Sequence, residues 1–178
     1  MGKTIVEKIL ARGCGKAEVS VGEYIQLSSN RPTKLRGEQA GKGSVLYRDL
    51  KTIARPDLIK IVDGHSGVGG GNRKIGDVRV AIREWAKDMG VPQENIMNLG
   101  RSGIEHIISE EQCWPLPGSV YFSVTNGHTC ALGALGAFAV SLSYEWAGYI
   151  VTGASWAQVP ETTRIELEGA LPAGVTDV

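Results

Sequence analysis

The chain predicts an α/β fold: three layers, α/β/α, built around a largely parallel sheet. Three observations carry this. Apolar strand-like runs alternate with amphipathic helical stretches from residue 58 onward. The clearest strands, 58–62, 95–99 and 119–125, each run directly into a Gly-bearing turn. The 178 residues, 42% of them hydrophobic, are enough for one sizeable core. Strand, helix, strand, helix in succession makes βαβ units, which pair strands in parallel and cover both faces of the sheet.

The elements follow in order. Thr4 to Arg12 reads as a short helix with Ile5, Ile9 and Leu10 on one side, stopped by Gly13 and Gly15. Glu23 to Leu27 reads as a strand. Ser28 to Ser44 is polar and reads as an irregular loop. Leu58 to Val62 is a strand ending in Asp63-Gly64-His65, followed by a Gly-rich turn, Ser66 to Asn72. Ile75 to Met89 is a helix, because Val78, Ile82, Trp85 and Met89 recur at helical spacing, and Gly90 caps it. Asn95 to Leu99 is a second strand, and Ile104 to Glu111 a short helix. After the loop Trp114 to Gly118, Ser119 to Thr125 is a third strand. An Ala/Gly-rich helix is expected from Cys130 to about Leu142, a second to Ile150, and a last, alternating strand from Arg164 to Glu168. A single domain, 1–178, is expected, with 1–45 its divergent N-terminal segment.

Composition removes several function classes. Lys+Arg 19 against Asp+Glu 19 leaves no net charge and no basic run, so neither nucleic acid nor an anionic membrane is an expected partner. No apolar stretch approaches the ~20 residues of a membrane span. The opening decapeptide is amphipathic with an early Glu7, unlike a signal peptide, and a cytoplasmic location is expected. Cys14, Cys113 and Cys130 are too few and too scattered for a disulfide framework, and no C-x-x-C pair exists to seed a metal site. The 24 glycines, about twice the ordinary ~7% share, cluster at 64–71 and 127–136, where tight turns or close backbone approach to a ligand are expected.

The chemistry converges on one sheet edge. His65 and His128 directly follow predicted strands and His106 lies in the segment after another, so all three histidines fall at the carboxyl ends of strands, where open α/β sheets bind ligands. A surface or core role is the plain alternative for each. Asn126-Gly127-His128-Thr129 stands between a strand and a helix start, where free N–H groups favour a carboxylate or phosphate; Gly127 permits close approach and Thr129 either caps the helix or binds the anion. A simple cap is the competing reading. Arg101 is a candidate carboxylate clamp. Glu105 beside His106, and Asp63 near His65, are candidate carboxylate–imidazole pairs. Gly67 to Asn72 departs from a dinucleotide fingerprint, and Gly41-Lys42-Gly43-Ser44 from a phosphate loop. Arg73 and Lys74 read as a solvated helix start, Cys130 as a small buried residue, and Trp85, Trp114, Trp146 and Trp156 as core or interface fillers.

Taken together, Gly100-Arg101-Ser102-Gly103-Ile104-Glu105-His106, the run Gly127 to Phe138, Val159-Pro160-Glu161-Thr162 and Gly169 to Val175 resemble the aconitase superfamily, nearest its 3-isopropylmalate dehydratase and homoaconitase large subunits. The opening Thr4 to Arg12 fits the same pattern. The match is strong from about 76 to 176. It implies the first α/β/α domain of a hydro-lyase acting on hydroxy di- or tricarboxylic acids, with a 4Fe–4S cluster or iron as Lewis acid, and it makes His65, His106 and His128 the active-site histidines. Substrate-binding positions are then Asn126, Gly127, Thr129 and Arg101. Several positions depart from the family pattern. Gly64 and Asn126 stand where it carries acids, Gly127 where it carries Ser, and no His-Asp occurs near residue 30. The stretch Leu142 to Trp146 differs as well. The family's cluster cysteines fall beyond this sequence, so metal ligands are expected on a partner subunit. Three readings stand: the histidine-bearing part of a multi-chain hydro-lyase, a catalytically silent carboxylate-binding or scaffolding relative, and a fragment of a longer dehydratase.

Overall fold

The computed structural model describes residues 2–37, 41–42, 45–64, 73–97, 102–124 and 126–176. Its centre is a four-stranded parallel sheet formed by β2 (Thr33–Arg36), β5 (Ile59–Val62), β6 (Val120–Val124) and β7 (Phe138–Leu142), in the order β5-β2-β6-β7. Ile96 adds a single parallel bridge to Ile61 at the β5 edge. A separate antiparallel pair joins β1 (Tyr24–Ser28) to β8 (Ala154–Gln158), and a short hairpin joins β3 (Gly41–Lys42) to β4 (Val45–Leu46).

The strands alternate cleanly between two covered faces. Leu35, Ile59, Ile61, Val120, Phe122, Val124 and Leu142 face the larger core, where α1 (Ile5–Gly13), α2 (Arg73–Asp88) and α4 (Trp146–Thr152) bury Leu10, Ile82, Trp85, Trp146 and Ile150. Val62, Tyr121 and Ala139 face a smaller core made with Ile108 of α3 (Ile108–Glu111), Trp114 and Leu132. Helical cover on one face and α3 with a 3-10 segment on the other make the three α/β/α layers expected from the sequence. Among the described residues no helix is long and apolar enough to cross a membrane.

Five local expectations are corrected. The stretch read as loop, Ser28 to Ser44, contains β2, an inner strand of the sheet. Its Lys34 and Arg36 are polar residues on a covered face, so no apolar pattern announces it. The Ala/Gly-rich helix from Cys130 to Leu142 is instead a 3-10 segment, Gly127–Leu135, turned out by Gly136 (φ 78) into β7. The strand at Asn95 to Leu99 reduces, over its described residues, to the end of a 3-10 turn, Gln93–Asn95, and the one bridge at Ile96. Arg164 to Glu168 has no regular structure and is exposed throughout. The helix at Ile104 to Glu111 is a turn followed by the single turn α3. Of the four tryptophans, Trp85, Trp114 and Trp146 are buried, whereas Trp156 is 65% exposed and packs on Tyr24 with ring centroids 5.9 Å apart.

Candidate functional site

The strand order fixes where a ligand site belongs. The chain passes from β2 outward to β5, then returns across to β6 on the other side of β2, and continues outward to β7. The direction reverses between β2 and β6, and in open parallel sheets the crevice forms outside the carboxyl ends of the strands at that switch point. Lys34 of β2 and Ser123 of β6 are the register pair that joins these two strands.

Two of the three predicted histidines meet there. His106, in the turn before α3, and His128, in the 3-10 segment after β6, have ring centroids 4.6 Å apart and an interplanar angle of 83°, edge to face. His128 is exposed and His106 is half-buried. Behind His106 lies Glu105, 1% exposed, whose Oε1 approaches His106 Nε2 to 3.4 Å while its Oε2 meets Arg36 Nε at 3.0 Å. The expected Glu105–His106 pair is therefore present, with a guanidinium as third member. A buried carboxylate this close to the imidazole restricts how the ring can turn.

Beneath the pair the covered face is polar. Lys34, 3% exposed, donates from Nζ to the Glu105 carbonyl at 2.5 Å. Burial pushes its ammonium down to about 8, against the upward pull of Glu105 and Glu110. Ser123 bonds the Thr129 hydroxyl, which donates in turn to the Asn126 carbonyl at 2.7 Å. Tyr121, its phenol pushed up by burial, lies 3.2 Å from the Ser109 hydroxyl.

Other predicted positions are placed differently. Asn126 is 4% exposed and its side-chain oxygen accepts the His128 backbone N–H at 3.0 Å. With Thr129 N–H also bonded to the Asn126 carbonyl, the expected open anion site at this start is an internally capped 3-10 turn. Asn126 and the buried Thr129 hydroxyl are thus committed to holding His128. Gly127 is exposed, and a Cβ there would meet nothing within 4 Å. Asp63 takes Arg83 Nη2 at 2.6 Å and Arg79 Nε at 3.4 Å; its expected pairing with His65 falls outside the described residues. Gly37 permits this arrangement, since a Cβ there would stand 2.6 Å from Asp63 Oδ1. Arg73 is solvated, as expected, and Cys130 is exposed instead of buried. His65 and Arg101 lie outside the described residues. The apolar hollow of about 270 Å³ between Tyr47 and α2 has Trp85 and Ile82 in its lining, which belong to the larger core across the sheet from Tyr121 and Leu132.

A family model for the aconitase family (aconitate hydratase) matches residues 73–178. The chain belongs to the aconitase family. Its relatives include the 3-isopropylmalate dehydratase large subunit of Heliobacterium modesticaldum, 33% identical over 99% of this chain and 41% of the relative's length. Those of Mycolicibacterium smegmatis (32%; 99% and 40%) and Pyrococcus furiosus, large subunit 1 (33%; 98% and 41%), are similar in the same way. This aconitase-family chain thus spans about two-fifths of the length of the relatives it matches.

The family's iron–sulfur cluster can be tested against these side chains. Cys14 closes α1, Cys113 lies in the loop after α3 and Cys130 in the 3-10 segment; all three are free thiols. Among the described residues no group of three or more His, Cys, Asp or Glu side chains comes together to hold a metal ion. These residues do not fit a cluster. What they offer is a pair of imidazoles for proton transfer, one braced by a buried carboxylate. Sequence reasoning missed Lys34 and Arg36. The signal was the alternation Thr33-Lys34-Leu35-Arg36, legible as a strand only if charged residues are allowed on a buried face.

Proposed function

We propose that this chain is the histidine-bearing part of an aconitase-like hydro-lyase acting on a hydroxy di- or tricarboxylic acid, with the cluster or metal carried by a partner chain. The observation behind it is the His106–His128 pair at the switch point, braced by Glu105 and Arg36. Dehydration of a hydroxy acid needs a proton removed beside a carboxylate and a hydroxyl group protonated as it leaves, and adjacent imidazoles are suited to both transfers at neutral pH. His65 joins them by family position, and Arg101 and the open backbone at Gly127 provide for the substrate carboxylates. Asn126 and Thr129 serve by fixing His128. A cytoplasmic setting suits such an enzyme.

A silent, carboxylate-binding role has one observation in its favour. The Asn126 side chain caps the backbone of the 3-10 segment, in a place where the family pattern carries an acid. One experiment separates the readings: anaerobic purification through this chain at native expression, intact-mass identification of co-purifying chains, iron and sulfide analysis, and turnover assays with hydroxy acids. The proposal expects a stoichiometric partner carrying iron and sulfide. It also expects His106→Ala or His128→Ala to lower kcat of the assembly by about 10²–10⁴. Turnover unchanged in both variants, or a lone chain without turnover, rejects it.

A further inference from the structure

The layer beneath the histidines contains a lysine that the proposed chemistry does not use. Lys34 sits on an inner strand, between β5 and β6, and is 3% exposed. An ammonium taken out of water here is costly unless it is paired and hydrogen-bonded, and an apolar side chain would serve the sheet better. Its partners identify the purpose it serves. Nζ donates to the main-chain carbonyl of Glu105 at 2.5 Å. Two residues along the same strand, Arg36 grips the Glu105 carboxylate at 3.0 Å. Side chains at i and i+2 of a strand share one face, so β2 holds a single residue at both its backbone and its side chain. That residue precedes His106. The turn is closed from its other side by the Ile107 and Ile108 N–H groups, both donating to Ile104 O.

The geometry points to Lys34 as a positioning residue: through the Glu105 carbonyl it fixes the turn that presents His106 to His128, while Arg36 fixes the carboxylate that orients the His106 ring. Among the described residues, the charged groups that act on it are Glu105 from the turn, Glu110 from α3 and Arg36 from its own strand, with Lys60 its register neighbour on β5 and His106 beyond Glu105. Burial lowers the lysine's affinity for its proton and Glu105 and Glu110 restore part of it, so near neutral pH the ammonium is charged and able to donate. Lys34 meets no substrate and acts only through His106. Its importance to an enzyme rests on the hydro-lyase reading above, but its effect on the imidazoles does not.

The test reads the rings directly, in the full chain labelled with ¹³C and ¹⁵N at histidine and lysine. The nuclear Overhauser effect between the His106 and His128 ring protons is measured in the unmodified protein, in Lys34→Met and in Lys34→Arg. Loosening a supporting contact by a fraction of an ångström spoils such a pair, so Lys34→Met is expected to reduce the inter-ring effect to roughly half or less, and Lys34→Arg, which keeps a donor cation, to restore it. A merely structural lysine would lower the melting temperature of Lys34→Met and leave the inter-ring effect intact in the folded protein, which overturns the proposal. Should Lys34→Met fail to fold, the unmodified protein decides. A slowly exchanging Lys34 ammonium signal with contacts to the Glu105–His106 backbone is expected, and its absence overturns the assignment. Absence of hydro-lyase turnover would count against the proposed function alone and leave the Lys34 result standing.

Discussion

Lys34 also makes the protein's stability depend on pH. Its ammonium titrates at about 8 when folded, below the value of 10.5 for a free lysine, so the unfolded chain holds the proton more tightly. Below about pH 8 both states are protonated and the full cost of burying the charge is present. Between the two values the folded protein has released its proton and the unfolded chain has not, so stability rises with pH through that window. The gain from this group is about 2 kcal/mol between about pH 7 and about pH 9.5. Tyr121 and Tyr149, both pushed up by burial, work the other way only at more alkaline pH. Urea unfolding at the two pH values, on the unmodified protein and on Lys34→Met, checks this: the variant is expected to lose the gain, and an equal gain in both proteins contradicts it.

Among the elements, α1 shows how local signals become a fixed structure. Thr4 is its N-cap, and the box is complete: Glu7 N–H donates to Thr4 Oγ1 at 3.2 Å and Thr4 N–H to Glu7 Oε2 at 2.8 Å. Ile9, Leu10 and Ala11 then enter the larger core. Thr4→Ala is expected to cost about 1 kcal/mol, read as a fall in Tm of about 2–4 °C, with Thr4→Ser close to the unmodified protein; no change in Tm would remove the cap from the account. Elements of this kind were legible in the sequence. So were β5, β6 and α2, whose apolar residues follow the period of their own element. Three others were not, for identifiable reasons. β2 places Lys34 and Arg36 on a buried face, so its alternation reads as surface. β7 carries Ala139 and Ser141 on the face toward the 3-10 segment, small residues that read as helix, and Ser141 accepts the Asn126 N–H there. Arg164 to Glu168 alternates correctly, but a strand needs a partner that local sequence cannot specify. The candidate site divides in the same way. His106, His128 and Glu105 were visible as residue types at strand ends, whereas Lys34 and Arg36, brought in by a strand about 70 residues earlier, required the topology.

At the scale of the molecule, the β1–β8 pair and the far end of the chain leave apolar surface uncovered. Leu167 is 94% exposed, Ile165 79% and Trp156 65%, with Tyr24 beside Trp156 at 66%. Scattered exposed apolar residues are ordinary, but Arg164 to Glu168 is also an alternating apolar and charged run without regular structure, the pattern of a strand able to add to another edge. Net charge is zero, so no long-range repulsion keeps copies apart. The relatives carry further sequence for about three-fifths of their length, and the chain matched here includes none of it. The chain isolated by itself is therefore expected to associate as its concentration rises, and Ile165→Lys with Leu167→Lys to reduce that association without changing Tm by more than a degree or so, because both side chains are almost fully solvated. Sedimentation velocity over a range of concentrations reads the outcome. A monodisperse monomer at every concentration would mean that the exposed ribbon is inert, and that covering it contributes nothing to assembly. Association that persists undiminished in the double-lysine variant would move the sticky surface to Tyr24 and Trp156, where the same experiment on Trp156→Lys decides.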